Sequence, residues 1–280
     1  MARYLNRTKI EWCTRTWNPL VGCTRGCAYC YSKKIAIRFP DKFPKDFIPT
    51  FYPERLDAPL YEKTPQSIFT VSMGDMFDPL VQAEWQRQIF SMTKKANWHI
   101  YQILTKRPDR IPADLIANLL VEGNVWFGTT VDSRASINNI SELIKNTSPM
   151  RTRFVSFEPI LSDLNLKSTD LDNIDLVILG AQTNPTVMPK KEWVNNILLA
   201  AERARHDKTG TGCSVFIKRS LDPIFDDIAP MNLPRNYPNV HNEIMAFEVE
   251  LKKKLAHAYL KEGINPMEIP PKNRFHSVEL

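Results

Sequence analysis

The sequence predicts an α/β fold built on parallel strands, arranged as a full or partial (β/α) barrel of the TIM type. Three observations point there. Short apolar, β-branched runs recur at Ile68 to Met73, Ile100 to Leu104, Val125 to Thr130, Phe154 to Phe157, Leu176 to Leu179 and Val215 to Ile217. They are apolar on both faces, as strands covered by helices must be. Between them, Ala83 to Lys95, Ser133 to Lys145 and Lys191 to Arg205 have helical periodicity, and Asp132-Ser133 supplies a helix start. Finally, 280 residues with 43% hydrophobic content can bury one large α/β domain or two small ones. A doubly wound open sheet satisfies the same alternation, so closure stays open at this level.

The connecting segments set the boundaries. Residues 39–66 are rich in proline, lysine and aromatics, which breaks any long helix and predicts an irregular, lid-like insertion. Residues 1–220 then form the barrel domain with its lid. Residues 221–280 form a connector, a C-terminal helix and a tail packed on the barrel. The connector carries Pro223, Pro230, Pro234 and Pro238. The helix is expected where Ile244, Phe247, Leu251, Leu255 and Tyr259 share one apolar face, and the tail from Pro270 is expected to be disordered.

Composition narrows the function classes. The net charge of +6 and pI of about 9.0 suit a polyanionic partner, and equally an ordinary basic enzyme. The N-terminal MARYLNRTKIEW lacks the apolar h-region of a secretory signal. The longest apolar runs fall far short of the roughly 20 residues that cross a bilayer. The expectation is a cytoplasmic protein with no membrane partner. Disulfides are not expected in a reducing compartment. Yet Cys23, Cys27 and Cys30, three of the five cysteines, fall within eight residues.

Cys23, Cys27 and Cys30 stand in Gly22-Cys23-Thr24-Arg25-Gly26-Cys27-Ala28-Tyr29-Cys30-Tyr31. Thiolates are soft ligands that select zinc or iron–sulfur clusters. Three ligands in one loop can hold three irons of a cubane and leave the fourth free for a small molecule. Zinc would take a fourth ligand from Cys13, Cys213 or a histidine. No second Cys-x-x-Cys pair exists to complete a Cys₄ ribbon.

This spacing, with an aromatic just before the last cysteine, resembles the signature of the radical S-adenosylmethionine superfamily. The surrounding sequence is similar to one phage-associated branch of it. The resemblance is carried by Thr8-Lys9-Ile10-Glu11-Trp12, Thr16-Trp17-Asn18-Pro19, Ser72-Met73-Gly74-Asp75-Met76-Phe77, Leu104-Thr105-Lys106-Arg107-Pro108, Ser156-Phe157-Glu158-Pro159 and Phe216-Ile217-Lys218. It runs from about residue 8 to 219, and more remotely the branch is similar to nucleic-acid repair lyases. It implies a partial TIM barrel with the cysteine loop after the first strand. It also implies a [4Fe–4S] cluster on Cys23, Cys27 and Cys30, with S-adenosylmethionine as cofactor and an electron donor such as flavodoxin or ferredoxin. The chain departs from the branch at two strand ends. Gly180-Ala181-Gln182 stands where a second glycine and a glutamate are usual, and Lys218-Arg219-Ser220-Leu221 replaces Lys-Gln-Trp-Gly.

In such barrels the functional side chains come from the C-terminal strand ends. Ser72, Met73, Gly74 and Asp75 follow the second strand, where the resemblance implies reception of the methionyl amino group. Asp75 is a candidate partner for that ammonium, or a helix N-cap. Lys106, Thr129, Thr130 and Gly180 end further strands and complete the cofactor-binding candidates. Tyr29 is a candidate to pack on adenine or on the barrel wall. Glu158, between Phe157 and Pro159, is the candidate acid or a paired structural carboxylate. Lys218, at the end of the last strand, is a further catalytic candidate. Cys13 and Cys213 are candidate hydrogen-atom donors or inert thiols, with Cys213 taken as the catalytic one. Lys106-Arg107 and Lys218-Arg219, with Lys33, Lys34, Arg38, Lys42 and Lys45, are expected to form a basic rim. That rim suits an anionic substrate, with DNA, RNA or a nucleotide as candidates; the alternatives are a peptide or small metabolite as substrate, or a non-catalytic nucleic-acid-binding module stabilised by zinc or a cluster.

Overall fold

Val, Ile, Leu and Phe dominate the six apolar runs, and side chains of this kind fit a pleated surface buried on both sides. In the computed structural model they form parallel strands β5 (Ser67–Thr70), β6 (Ile100–Thr105), β7 (Val125–Thr130), β8 (Arg153–Phe157), β9 (Leu176–Leu179) and β14 (Ser214–Ile217). The structure describes residues 4–43, 45–112, 124–149, 151–207, 210–225 and 233–235. All of them lie in one unit spanning Met1–Pro238. The helix expected at residues 244–259 and the tail from Pro270 fall outside the described residues, as does most of the 221–240 connector.

Two strands were not legible as runs. β1 (Leu5–Arg7) pairs antiparallel with β2 (Arg15–Trp17), and β2 pairs parallel with β5, Trp17 opposite Thr70. Arg-Thr-Trp has no apolar run to betray it, yet Trp17 is fully buried and donates its indole N–H to the Arg55 carbonyl at 2.7 Å. The sheet order is β1-β2-β5-β6-β7-β8-β9-β14, all parallel except at β1, and outside it β10 (Gln182–Thr183) pairs with β11 (Thr186–Val187) and β12 (Arg205–His206) with β13 (Gly210–Thr211). Among the described residues no ladder joins β14 back to β1, so of the full or partial barrel expected, these strands make an open run.

Helices α1 (Tyr31–Arg38), α2 (Ala83–Lys95), α3 (Asn138–Asn146) and α4 (Lys191–Arg203) connect the strands. α2 buries Gln86, Ile89, Phe90 and Thr93 at helical spacing and ends on Lys94 and Lys95, where cations favour the helix dipole. The expected helix from Ser133 instead opens as a 3₁₀ turn, Arg134–Ser136, before α3 begins. Between β8 and β9 the described helical element is only the 3₁₀ turn Ser168–Leu171. No described helix is long and apolar enough to cross a membrane.

The proline-rich insertion is a chain of 3₁₀ turns, Pro40–Lys42, Lys45–Phe47, Pro53–Arg55 and Ala58–Tyr61. It contributes β4 (Thr50–Phe51), which pairs with β3 (Leu20–Val21). It is therefore stitched to the chain just before the cysteines. Gly22 has φ +110, and a Cβ there would meet the Ile48 carbonyl oxygen at 2.4 Å. Only glycine allows that approach.

Candidate functional site

The expected strand Ile68–Met73 stops at Thr70 because the next residue, Val71, takes φ +60. A β-branched residue pays strain in that region. The turn swings Ser72 to Asp75 across the sheet's C-terminal mouth, where the Gly22 N–H donates to the Met73 carbonyl at 2.9 Å. Asn18, just after β2, locks the same turn. Its side-chain oxygen accepts from Met73 N–H at 2.9 Å, and its amide donates to Ser72 Oγ at 3.1 Å.

A cavity of about 370 Å³ opens at this mouth. Its floor includes Trp12 and Phe69, whose rings stand 4.7 Å apart. Cys23, Cys27 and Cys30 all line it, together with Tyr29, Ser72, Gly74, Asp75, Lys106, Thr130, Glu158 and Lys218. These are eleven of the expected site residues, drawn from the cysteine loop and from the ends of β5, β6, β7, β8 and β14.

The charged groups at the mouth have partners. Asp75 accepts from Thr105 Oγ1 at 2.7 Å, Phe77 N–H at 3.0 Å and Lys106 N–H at 3.1 Å. It braces the ends of β5 and β6 and caps no helix. The Lys106 ammonium donates to Tyr29 OH at 2.6 Å and to Asp132 Oδ2 at 3.1 Å, and Tyr29 OH donates to Asp132. Burial pushes the Asp132 carboxyl up, but the Lys106 charge and the hydrogen bonds from Tyr29, Lys106 and Ser136 outweigh it and hold it at about 2. Burial and the Asp132 carboxylate drive the Tyr29 phenol upward. Arg107 reaches Thr24 Oγ1 at 3.1 Å and the buried Asp78 at 3.2 Å. Glu158 and Lys218 form an ion pair.

Two backbone groups face the thiols: Arg25 N–H to Cys23 Sγ and Lys33 N–H to Cys30 Sγ, both at 3.4 Å. The second sulfur caps the N-terminus of α1. Burial pushes the Cys23 thiol up to about 12, opposed by the Arg25 contact. A thiol this hard to ionise loses its proton when a metal cation takes the proton's place. Among the described residues no group of three or more His, Cys, Asp and Glu side chains is arranged to hold a single metal ion. The donor set does fit an iron–sulfur cluster, which takes soft thiolates and binds them one per iron.

Four expected site residues stand off the cavity wall. Met73 contributes backbone to the turn and packs beside Val21, Ala36 and Phe47. Thr129 is fully buried and spends its hydroxyl on the Thr105 carbonyl at 2.9 Å. Gly180 lies beneath the ion pair, where an added Cβ would sit 3.1 Å from Glu158 Cγ and 3.2 Å from Lys218 Cδ. Cys213 immediately precedes β14, at the opposite end of the sheet, and points its thiol at the Leu171 carbonyl, 3.8 Å away. Burial and the neighbouring Asp175 and Asp172 push that thiol up to about 12. A thiol at the N-terminal strand ends cannot serve a cavity at the C-terminal ends.

The expected basic rim is also revised. Lys106, Arg107 and Lys218 are each paired with a carboxylate, and the exposed Arg219 lies 3.9 Å from Glu11. Exposed cations in and beside the cysteine loop include Arg25 and, of and just after α1, Lys33, Lys34, Arg38 and Lys42, while the side chain of Lys45 lies outside the described residues. Sequence reasoning missed Asp78 and Asn18 as site-building residues, and took Asp132 as part of a helix start. For the two aspartates the signal was position: Asp132 follows the end of β7 by two residues, and Asp78 follows Asp75 by three.

A family model described as "Protein of unknown function (DUF5131)" matches residues 7–207, which contain the cysteine loop and every cavity-lining residue except Lys218. The chain belongs to this family. Within the DUF5131 match lie all the parallel strands except β14, together with Asp78, Arg107 and Asp132. Comparison with curated proteins gives no match. Among solved structures, a spore photoproduct lyase complexed with dinucleoside spore photoproduct is similar at 11% identity, over 73% of this chain and 65% of that one, with a TM-score of 0.47. A cysteine-to-alanine mutant of spore photoproduct lyase with the same dinucleoside is similar at 13% identity, over 74% and 65%, with a TM-score of 0.44. The DUF5131 chain thus spans about two thirds of the length of either structure.

Proposed function

We propose that the protein is a radical S-adenosylmethionine enzyme, with a [4Fe–4S] cluster held by Cys23, Cys27 and Cys30. The observation that carries this reading is that three thiols from one loop line the same cavity as Asp75, Lys106, Glu158 and Lys218, at the C-terminal ends of parallel strands. When bound, the cluster supplies the electron that breaks the sulfonium C5′–S bond and starts radical chemistry.

The chain's own residues bind, orient and exclude water. An ionised carboxylate offers about four acceptor sites. Asp75 spends three of them on Thr105, Phe77 and Lys106, which leaves room for one ammonium donor from the methionyl group. Ser72, Gly74 and Thr130 line the same wall and complete the cofactor pocket. Glu158 and Lys218 orient the substrate from the far wall. Trp12 and Phe69 keep the floor apolar, which suits a reaction that must avoid quenching by water. The substrate is anionic, with nucleic acid or a nucleotide as the leading class. Lys33, Lys34, Arg38 and Lys42, exposed beside the cysteine loop with Tyr31 and Phe39, offer charge and stacking faces for it.

The test is anaerobic reconstitution with iron and sulfide, followed by dithionite and S-adenosylmethionine. The expected result is an absorption band near about 400 nm of iron–sulfur type, about four irons per chain and formation of 5′-deoxyadenosine. A chain that binds zinc alone and yields no 5′-deoxyadenosine overturns the reading.

A further inference from the structure

The loop from Gly22 to Cys30 contains no helix or strand, and Gly22 and Gly26 take positive φ. Such a loop holds three ligands in register only if tertiary contacts fix it. We propose that the consecutive residues Lys106 and Arg107, each with its own aspartate, form a two-jawed clamp that fixes the cysteine loop over the sheet. They are positioning residues, and their role for the cluster rests on the function proposed above.

The jaws close on the two intervals between the cysteines. Thr24, between Cys23 and Cys27, is held through both its N–H and its hydroxyl, each 2.8 Å from Asp78 Oδ2. Arg107 Nη2 completes that jaw, bridging Thr24 Oγ1 at 3.1 Å and Asp78 Oδ2 at 3.2 Å. Tyr29, between Cys27 and Cys30, is held by Asp132 and by Lys106 Nζ, which lies 2.6 Å from the phenol oxygen. A third tie runs back from the loop: the Arg25 guanidinium donates to the Lys106 carbonyl at 2.6 Å. Cys27, the middle ligand, is thus gripped on either side by two adjacent residues of one strand end.

The residue types follow from the geometry. Arg107 makes both contacts through one nitrogen, Nη2, of a guanidinium that stays charged and planar, and Lys106 offers a compact charge with rotatable donors. Two cations that look in sequence like a phosphate-binding rim are turned inward. The aspartates that neutralise them come from different places, Asp78 from the turn after β5 and Asp132 from just after β7. The clamp therefore ties the loop to three neighbouring strands.

The test uses the full chain stripped of metal, so that it does not depend on the cluster. Iodoacetamide alkylation is followed at each cysteine by mass spectrometry. Tyr29→Phe, Asp132→Asn and Arg107→Lys are expected to speed alkylation of Cys23, Cys27 and Cys30 by tenfold or more. Cys13 and Cys213 report on the rest of the fold and should keep wild-type rates. Asp132→Glu, which retains the charge, should recover part of the protection. After reconstitution, the same variants should lose iron to a chelator several-fold faster than wild type. Unchanged rates at the three loop cysteines overturn the clamp, as does an equal rise at Cys13 and Cys213. If wild type takes up no iron, the cluster reading falls, and the alkylation result still decides the clamp.

Discussion

At the N-terminal ends of β8 and β9, Arg153 lies buried with its guanidinium donating to Thr147 Oγ1 at 2.9 Å and to the carbonyls of Thr147 at 2.7 Å and Ile144 at 3.2 Å. Asp175 accepts from Arg153 N–H at 2.7 Å and lies 3.1 Å from His206 Nε2. At the C-terminal ends of β8 and β14, Glu158 and Lys218 pair on the wall of a cavity. Both ends hold charge away from water. At the N-terminal end the groups satisfy carbonyls and hydroxyls of the fold itself, as buried polar groups must. At the C-terminal end they pair with each other on a cavity wall. Cysteine shows the same split: Cys213 sits against a carbonyl beside Asp175, and Cys27 on the cavity wall. Polarity and burial alone do not mark a site. The mark is polarity that the fold arranges around a cavity.

Four experiments bear on this contrast. The largest effect is expected from the cysteines. Alanine at Cys23, Cys27 or Cys30 should abolish iron binding and 5′-deoxyadenosine formation, and Cys213→Ala should keep both. Iron analysis of reconstituted protein checks it, and the reverse pattern would move the functional end of the sheet.

Next comes Arg153→Leu, which strips donors from three carbonyls and a hydroxyl in the interior. It should cost about 3 kcal/mol of unfolding free energy, read from urea denaturation. Glu158→Gln at the mouth should cost clearly less. Equal losses would mean that the Glu158–Lys218 pair is as structural as the Arg153 network.

Asp132 gives a pH signature of intermediate size. Its folded value of about 2 lies below the unfolded carboxylate value, so its contribution is fully present above about pH 4. It is lost as pH falls through about 2. The metal-free protein should lose about 2 kcal/mol over that window, and Asp132→Asn should remove that part of the slope. Urea midpoints at pH 5 and pH 2.5 measure the difference.

The smallest effect is expected at Gly180. Alanine there crowds Glu158 and Lys218, but both are flexible side chains that can give. The cost should be about 1 kcal/mol or less, seen as a small shift in Tm. A much larger loss would show that the ion pair is rigidly held.

Periodicity alone determined the parallel core. Val125–Thr130 and Leu176–Leu179 form strands with the bounds their apolar runs define, and Ala83–Lys95 forms the helix its pattern defines. Spacing alone singled out the three cysteines, because ligands in one short loop share a neighbourhood whatever the rest of the chain does. Strand-end position singled out Asp75, Lys106, Glu158 and Lys218, since parallel strands place all such ends on one edge. The tertiary structure decided what each group does there. Arg15–Trp17 became a strand because β5 and β1 flank it, and no local pattern encodes a neighbour. Lys106 and Arg107 turned inward because Asp132 and Asp78, 26 and 29 residues away in sequence, meet them across the mouth. Cys213 fell at the wrong end because direction along a strand, invisible to composition, fixes which edge a residue joins. A sequence states which groups exist and how often they recur. Which charges neutralise one another, and which face a cavity, depends on distances that only the folded chain sets.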